Sequence, residues 1–473
     1  MTPAVSLCAL PGCFSIGQAA WRHWPLPVTL SVIVPAYNCG VQLARCLGSI
    51  RTTVQIPFET IVVDDGSTDD TREIARSFEA KVLSTGGCKG PAFARNLGAK
   101  TALGDVFVFL DSDVCVKPET LSKIGQSFDT DPQLDALIGS YDYAPSSQDF
   151  ISQYRNLMHA YVHQTGAECA STFWSGCGAI RRHVFLEHSG FNEDYARPAI
   201  EDIELGYRLI RGGRKIVLDR SVLVTHLKRW TFWGLVRTDI MDRGIPWTEL
   251  ILRDRFMPND LNLQLSQRVS VALAVILVFL SGTLAVMEGA YLLIPLFAIL
   301  FLMLAGWWGE FGSYERPRRA FAFLTCMVGL ISAGAYVYGM YGLVVPLMIA
   351  PGLLVLRHRY SEQRSLSKLY RRLEVVFLLS SICVAALYLV AALYVHTGHL
   401  IFACVAILVT LGVMNSQFYI FLAGKRGVAF MLAAMPFHLL YHLYSAMSFI
   451  AGISHYYWSG VAHRTAVGRT GYP

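Results

Sequence analysis

The sequence predicts an α/β domain with a doubly wound parallel sheet, followed by an all-α domain of several membrane-spanning helices. Three observations support this prediction: strand-like and helix-like segments alternate from about residue 30 to residue 113, long apolar runs fill the second half, and charge is divided unequally between the halves. Of the 473 residues, 53% are hydrophobic and only 16% are charged. A disordered chain is excluded, since such chains are poor in hydrophobic residues.

The charge division separates a soluble half from a membrane half. Residues 1–268 contain 27 basic and 29 acidic side chains, whereas residues 269–473 contain 13 basic and 5 acidic ones. The net charge of +6 therefore does not form a basic surface for nucleic acid, and we expect no nucleic-acid partner. The cations of the second half lie in short clusters between apolar runs, which is typical of the loops that flank membrane helices.

The first elements of the α/β domain follow from hydrophobic periodicity and helix-start signals. In chain order they are a strand at 31–34, a helix through Leu43, Leu47 and Ile50, a strand at 60–63, a helix at 68–78 and a strand at 106–110. The last strand is continuously apolar, as expected where a parallel sheet is covered on both faces.

Acidic side chains follow two of these strands. Asp64 and Asp65 follow the second strand, and Asp111 and Asp113 follow the strand at 106–110. Ligands of doubly wound sheets bind at the carboxyl ends of the strands. There is no glycine-rich phosphate cradle or Walker lysine, so a divalent metal that bridges phosphate oxygens is the favoured alternative. Ordinary turn residues are the other explanation for each single site.

Five motifs resemble those of family 2 glycosyltransferases, which have the GT-A fold, a Rossmann-like domain that binds nucleotide-sugars. The matching segments are SVIVPAYN at 31–38, VVDDGSTD at 62–69, GPAFARNLG at 90–98, FLDSD at 109–113 and IEDIELG at 200–206. Their order and spacing agree with the family, and the resemblance covers roughly residues 29–265.

The resemblance implies a binding site for a nucleotide-sugar donor, such as a UDP- or GDP-sugar. Pro35 and Tyr37 would line the base pocket, and Asp65 would accept a hydrogen bond from the base. Arg95 would approach the nucleotide, and Asp111 would hold the ribose.

The same resemblance implies the residues of the reaction. Asp113 would hold Mg²⁺ or Mn²⁺ against the diphosphate, and Asp202 would be the general base for the acceptor hydroxyl. Glu201 precedes this base and is assigned to the diphosphate and acceptor side. Family members invert the anomeric configuration in one step.

The segment HLKRW at 226–230 resembles the (Q/R)xxRW signature of polysaccharide synthases and lipid glycosyltransferases, with histidine at its first position. In that interpretation Arg229 contacts phosphate and Trp230 lines the acceptor channel. His226 would donate to phosphate or serve as an additional metal ligand. The alternative is that Lys228, Arg229 and Trp230 only anchor the chain at a membrane surface.

The second half contains apolar runs of membrane-spanning length. They lie at 269–287, 289–308, 375–395, 400–422 and 428–450, with a longer run at 320–356. Read as a hairpin, the longer run gives seven helices and places all basic clusters on one side; six helices is the alternative. The predicted domains are an N-terminal extension at 1–28, the GT-A domain at 29–265, the transmembrane domain at 266–455 and a tail at 456–473.

Together these features predict an inverting, metal-dependent glycosyltransferase. It would transfer a sugar to a lipid or lipid-linked glycan at a bacterial inner membrane, with its GT-A domain in the cytoplasm. Two alternatives are a processive polysaccharide synthase that extrudes its product, and a lipid transporter with a regulatory domain that binds nucleotide-sugars.

Overall fold

The computed structural model describes residues 27–54, 58–287 and 398–458. The apolar runs predicted at 289–308, 320–356 and 375–395, and the basic clusters near them, lie outside the described residues. Within the described ranges the chain forms an α/β domain followed by apolar helices, so the predicted fold class is confirmed.

In the described part of the chain, eight strands form one mixed sheet in the order β3-β2-β1-β4-β7-β6-β8-β5. The strands are β1 (Leu30–Ala36), β2 (Phe58–Asp64), β3 (Lys81–Ser84), β4 (Val106–Leu110), β5 (Val114–Val116), β6 (Ala136–Tyr141), β7 (Cys177–Arg181) and β8 (Ile216–His226).

The first four strands are parallel, as the sequence predicts. β1 lies between β2 and β4, and β3 pairs with β2 at the edge. All five residues of β4 are buried, which explains its continuously apolar sequence. The carboxyl ends of β1, β2 and β4 therefore meet at one edge of the sheet.

The remaining strands make the sheet mixed. β7 runs antiparallel to β4 and β6, and β5 runs antiparallel to β8. The β5–β8 pairing places Val114 opposite His226. A residue at the end of the domain is thus brought beside the residues that follow β4.

The helices of the α/β domain cover both faces of the sheet. They are α1 (Gly40–Arg51), α2 (Thr71–Ser77), α3 (Pro91–Thr101), α4 (Thr120–Thr130), α5 (Phe150–Thr165), α6 (Arg182–Glu187), α7 (Glu201–Arg211), α8 (Phe232–Arg237) and α9 (Ile245–Asp254). The helix predicted at 68–78 begins later, because Asp70 occupies the N-cap position of α2.

A π-helical segment, Thr238–Gly244, joins α8 to α9 without a break. Pro246 follows this segment, and its nitrogen has no hydrogen to donate to the carbonyl of residue 242. The regular α-helical hydrogen bonding is therefore interrupted here, which accounts for the wider π turn. Residues 232–254 form one helical segment, which we call the α8–α9 segment.

Four apolar helices complete the described chain: α10 (Leu265–Met287), α11 (Gly398–Met414), α12 (Ser416–Arg426) and α13 (Val428–Trp458). By length and composition α10 and α13 are able to cross a membrane, and α11 with α12 would be a third span if the bent pair counts as one. The run predicted at 400–422 is divided into two helices with a bend of 62°. Asn415 lies at this bend and donates from its side chain to Ser270.

An aromatic cluster joins α12 and α13 to the α/β domain. Phe150 lies 5.0 Å from Phe430 between ring centroids, and Phe232 lies 6.1 Å from Phe437. Tyr154 and Trp230 are buried in the same cluster. The apolar helices and the α/β domain therefore share one core rather than meeting through a linker.

Candidate active site

A cavity of about 900 Å³ extends from the strand ends to the apolar helices. At one end it is lined by Asp111, Asp113, Glu201 and Asp202, which we call the carboxylate end. At the other, the membrane end, it is lined by residues of α10 and α13. The predicted carboxylates, from sequence positions far apart, thus lie in one cavity.

Arg95 joins two of these carboxylates. This buried arginine of α3 places Nη2 2.6 Å from Asp111 Oδ1 and Nη1 2.8 Å from Glu201 Oε1. Burial alone would lower the pKa of Arg95, but the charges of Asp111 and Glu201 raise it above its ordinary value. Arg95, predicted to approach the nucleotide, therefore forms ion pairs that connect the residue after β4 to the first residue of α7.

Asp202 lies at the start of α7 and is held by Ser175. The backbone N–H of Ser175 donates to Asp202 Oδ2 at 3.0 Å, and its hydroxyl donates to the same oxygen at 3.1 Å. Burial, and then the charge of Glu201, raise the pKa of Asp202 to about 6. A carboxylate with this pKa is a stronger base than an ordinary aspartate, and it is still ionised at neutral pH.

Asp113 lies beside His226, with 3.5 Å between Asp113 Oδ2 and His226 Nε2. Burial disfavours the charge of Asp113, yet the neighbouring His226 holds the pKa of Asp113 below its ordinary value. The sequence predicts Asp113 as a metal ligand and His226 as a phosphate donor or an additional metal ligand. The β5–β8 pairing is what brings them together.

The ring of His226 is fixed by its surroundings. Asn156 donates to the carbonyl of Ser152 at 2.8 Å, which turns its Oδ1 toward His226 Nδ1 at 2.5 Å. His226 Nδ1 therefore carries a proton, and Nε2 is the nitrogen that faces Asp113. Tyr141 stacks on the ring with 4.5 Å between centroids.

This arrangement fits a hard divalent cation that takes its remaining ligands from a substrate. Within the described ranges, no three His, Cys, Asp or Glu side chains are grouped so that they could hold a metal by themselves. Asp113 and the Nε2 of His226 nevertheless face the cavity, and Asn156 supplies the outer hydrogen bond that metal-binding histidines usually have. Mg²⁺ commonly uses one or two carboxylates together with phosphate oxygens.

The residues predicted to bind the nucleobase lie at the ends of β1 and β2, outside the lining of this cavity. Tyr37 is exposed, whereas Asp65 is buried. Asp65 accepts hydrogen bonds from Thr85 Oγ1 at 2.7 Å and from the backbone N–H groups of Lys89 and Gly90, both at 2.8 Å. Asp65 thus shapes the 85–90 loop, and the base contacts of Pro35, Tyr37 and Asp65 remain predictions.

The HLKRW segment divides between the cavity and the surface. Trp230 is buried and lines the cavity, and its Nε1 has no hydrogen-bond partner among the described residues. Lys228 also lines the cavity and lies 4.3 Å from the Trp230 ring centroid. Arg229 is 68% exposed, 3.8 Å from Asp149, and is not among the lining residues. Of the two cations in the HLKRW segment, Lys228 is therefore the one that lines the cavity, and the phosphate contact of Arg229 stays a prediction.

Sequence reasoning missed a buried polar cluster near the membrane end. Asp239 Oδ1 lies 2.7 Å from Arg155 Nη2 and 3.5 Å from Arg243 Nη1. The hydroxyl of Tyr444 on α13 donates to Asp239 Oδ2 at 2.8 Å. No motif marks these residues, because three separate elements contribute them.

The membrane end of the cavity combines apolar and polar side chains. α10 contributes Gln267, Arg268, Val271 and Ala272, and α13 contributes Tyr441, Ser445, Ala446, Ser448, Phe449 and Ile450. A molecule in this cavity can therefore contact an apolar wall at one end and carboxylates at the other.

Solved structures of similar shape cover about half of the chain. A mannosyltransferase from Pyrobaculum calidifontis, in complex with GDP-Man and Mn²⁺, is 19% identical with a TM-score of 0.36, and the match covers 48% of this chain and 62% of that one. TarS of S. aureus in complex with UDP-GlcNAc is 24% identical with a TM-score of 0.34, over 43% and 59% of the two chains.

Two of the similar sequences have named activities. A validoxylamine A glucosyltransferase of Streptomyces hygroscopicus subsp. jinggangensis is 28% identical over 242 residues, which are 43% of this chain and 55% of the relative. The O-antigen chain rhamnosyltransferase RfbN of Salmonella typhimurium is 25% identical over 240 residues, 46% of this chain and 74% of the relative. The chain spans about half the length of the validoxylamine A glucosyltransferases.

The match to a protein family falls on the part of the chain that holds β1 to β7. Residues 31–188 match Glycosyl transferase family 2. This range contains Asp65, Arg95, Asp111 and Asp113, whereas Asp202 and His226 follow it. Residues 31–188 are therefore a glycosyl transferase family 2 domain.

Proposed function

We propose that the protein is an inverting, metal-dependent glycosyltransferase. It transfers a sugar from a nucleotide-diphosphate-sugar, a UDP- or GDP-sugar, to a lipid or lipid-linked glycan in the membrane. The relatives named as glucosyl- and rhamnosyltransferases support sugar transfer. We place the enzyme at a bacterial inner membrane with its α/β domain on the cytoplasmic side, where nucleotide-sugars are made.

The observation that carries the proposal is the continuity of the cavity. Its lining includes Asp113 and Asp202 at one end and residues of α10 and α13 at the other. A soluble acceptor needs no apolar wall beside the carboxylates. An amphiphilic acceptor does, because its apolar part gains free energy when it leaves water.

Asp202 acts as the general base in this proposal. Its carboxylate accepts the proton of the acceptor hydroxyl as that oxygen attacks the anomeric carbon. The bond between the anomeric carbon and the diphosphate oxygen breaks, and its electron pair leaves with the nucleoside diphosphate. Attack opposite to the leaving group inverts the anomeric configuration. Ser175 holds the base in position through two hydrogen bonds to Asp202 Oδ2.

The donor occupies the carboxylate end. Asp113 and His226 Nε2 would hold Mg²⁺ or Mn²⁺, which would neutralise the charge that develops on the departing diphosphate. Arg95 holds Asp111 and Glu201 in place beside this site through two ion pairs. Pro35, Tyr37 and Asp65 extend the site toward the nucleobase at the ends of β1 and β2.

The acceptor approaches from the membrane end. The unpartnered Nε1–H of Trp230 is a buried donor on the cavity wall, and a buried donor without an acceptor is costly. A hydroxyl or glycosidic oxygen of the acceptor would satisfy it. This assignment agrees with the role that the HLKRW resemblance implies for Trp230.

The proposal is tested with the purified full chain in detergent or nanodiscs. UDP- and GDP-sugars labelled in the sugar are offered with a bacterial lipid extract, with Mg²⁺, with Mn²⁺ or with a chelator. We expect label in the lipid fraction only with metal, and loss of transfer in D113N. Asp194, which is exposed between α6 and α7, provides the matched control D194N, which should retain transfer.

The products separate this proposal from its alternatives. One added sugar with inverted configuration supports it, whereas a ladder of long polymers indicates a processive synthase. Lipid movement across vesicles without any sugar transfer indicates a transporter. Full activity of D113N in the presence of the chelator would refute the metal-dependent mechanism.

A further inference from the structure

Helix α13 contacts the α/β domain along almost its whole length, although its composition would allow it to cross a membrane. In chain order, the contacts join Phe232 to Phe437, Asp239 to Tyr444, Gly244 to Ser448, Thr248 to Gly452, and Glu249 to His455. From one contact to the next, the residue numbers increase in both segments. The α8–α9 segment and α13 therefore run parallel, side by side.

Two glycines allow this close approach. A Cβ atom on Gly244 would lie 2.6 Å from the Cβ of Ser448, and one on Gly452 would lie 2.6 Å from the Cβ of Thr248. These distances are shorter than side chains tolerate, so each glycine lets a small side chain of the other helix pack directly against its backbone. The contact is an extended packed interface and not a single crossing point.

The α8–α9 segment cannot lie across a bilayer. Within its 23 residues it carries seven charged side chains: Arg237, Asp239, Asp242, Arg243, Glu249, Arg253 and Asp254. Each charged side chain near the centre of a bilayer costs about 2.5–3.5 kcal/mol even on the mildest scale. A helix packed in parallel along this segment shares its orientation relative to the membrane.

Both ends of α13 are attached to the α/β domain. Just before its first turn, Arg426 donates to Gln153 Oε1 at 2.7 Å and to the carbonyl of Tyr143 at 2.8 Å. Near its last turn, His455 pairs with Glu249. At 1.5 Å per residue its 31 residues extend about 46 Å, well beyond a hydrocarbon core of about 30 Å. A crossing helix of this length would carry one of these ends away from the domain.

The preceding helices return the chain to the same side before α13 begins. α10 and α11 are antiparallel, since Ser270 contacts Asn415 and Ser281 contacts Cys404. Ser270 lies near the start of α10, where that helix leaves the α/β domain. Asn415, at the end of α11, is therefore back at the level of the domain.

The surface of α13 outside these contacts carries exposed apolar side chains. Those that do not line the cavity are Leu432, Met447, Tyr457 and Trp458. The helix contains no Asp, Glu, Lys or Arg. Ile420 of α12 is also exposed. We call this set of side chains the α13 stripe.

We propose that α13 does not cross the membrane but lies in its interfacial plane, with the α13 stripe inserted among the lipids and the α8–α9 segment on the aqueous side. The occupant of the stripe is the bilayer surface, because the stripe is continuous with the α10–α11 pair that enters the membrane. Tyr457 and Trp458 are residues enriched at that depth. In this proposal the run at 428–450, which the sequence predicts as a span, is an interfacial helix, and Trp458 lies on the side of the α/β domain.

Sidedness tests this proposal in the full chain. A short epitope tag is inserted after Trp458, in the exposed turn between Gly212 and Gly213 of the α/β domain, or after Met287 at the far end of α10. Sealed membrane vesicles of both orientations are then treated with protease. We expect the tag after Trp458 to be cleaved together with the tag at 212–213, and to be protected when the tag after Met287 is cleaved. Cleavage of the Trp458 tag together with the Met287 tag would overturn the proposal.

Depth provides a second measurement. Nitroxide labels on L432C, M447C and Y457C, each compared with the labelled parent chain, report accessibility to oxygen and to a water-soluble nickel chelate. An in-plane helix gives three similar, shallow depths. A maximum depth at Met447 with shallow ends indicates a span and contradicts the proposal. Disulfide cross-links between copies as the main product of M447C would assign the stripe to a second chain and would also overturn it.

Discussion

The carboxylate end and the membrane end of the cavity are built in different ways. At the carboxylate end, Asp111 and Asp113 follow β4 directly, so strand geometry alone delivers them to the edge of the sheet. At the membrane end, Arg155 pairs with a residue 84 positions away, and Asp239 pairs with one 205 positions away. The positions of Asp111 and Asp113 are therefore encoded locally, whereas Glu201 joins them only through a contact with Arg95, 106 positions away. The membrane end likewise exists only when distant helices have packed.

The two ends should consequently respond to mutation in different ways. Carboxylate-end residues are partly exposed to the cavity, and their replacement affects chemistry more than folding. Membrane-end residues such as Arg155 and Asp239 are buried and paired, so their replacement should affect folding first.

The largest expected effect is the loss of turnover in D202N. Removal of a positioned general base typically lowers the rate by about 10²–10⁴-fold, whereas the KM for the donor should change little. Initial rates of nucleoside diphosphate release measure both quantities. An unchanged melting temperature would show that D202N is folded, and turnover close to wild type would exclude Asp202 as the base.

The pH profile sharpens the same assignment. Because Asp202 must be ionised to accept a proton, kcat/KM should be constant above its pKa of about 6 and fall tenfold for each pH unit below it. The hydroxyl of Ser175 donates to the charged form and lowers this pKa. S175A should therefore move the acidic limb to higher pH. An acidic limb at the same pH in S175A and in wild type would contradict the predicted effect of the Ser175 hydroxyl on the pKa of Asp202.

At the membrane end, D239N should reduce stability before it alters chemistry. It leaves the buried guanidinium of Arg155 without its charged partner, a change that typically costs about 3–5 kcal/mol. Y444F removes one hydrogen bond to the same carboxylate and should cost about 1.5 kcal/mol. Thermal unfolding in detergent measures both variants. Equal and small effects would mean that the cluster does not join α13 to the domain.

The smallest effects should separate two neighbouring cations. Lys228 lines the cavity, so K228Q should raise the donor KM by about tenfold, the loss expected for one charge-assisted contact. Arg229 is exposed and weakly paired, and such pairs contribute about 0–1 kcal/mol. R229Q should therefore change kcat/KM by less than about fivefold. The reverse order would restore the phosphate contact that the sequence motif implies for Arg229.

The parallel strands and the acidic strand ends could be predicted because they depend on local patterns. A continuously apolar segment such as β4 indicates a buried strand, and an aspartate directly after it lies at the end of that strand. The grouping of Asp111, Asp113, Glu201 and Asp202 in one cavity was expected on the same grounds and on the family resemblance.

The remaining features depend on contacts that no local pattern contains. The proton on His226 Nδ1 is set by Asn156, which lies 70 positions earlier in the chain. The apolar run at 400–422 contains Asn415, but the hydrogen bond of Asn415 to Ser270 of another helix forms only when the helices have packed. Likewise, hydropathy shows that α13 is apolar but does not show how the helix is oriented. Its orientation follows from packing against the α8–α9 segment.

Because the cavity is lined both by carboxylates and by residues of α10 and α13, the donor and the acceptor of the proposed reaction should be supplied from different phases. The donor arrives from three-dimensional solution, whereas an acceptor that enters between α10 and α13 diffuses in two dimensions. Its effective concentration is then a mole fraction of the bilayer and not an amount per litre. Under the proposed function, dilution of the acceptor with inert lipid should slow the reaction, whereas addition of buffer to the same vesicles should not.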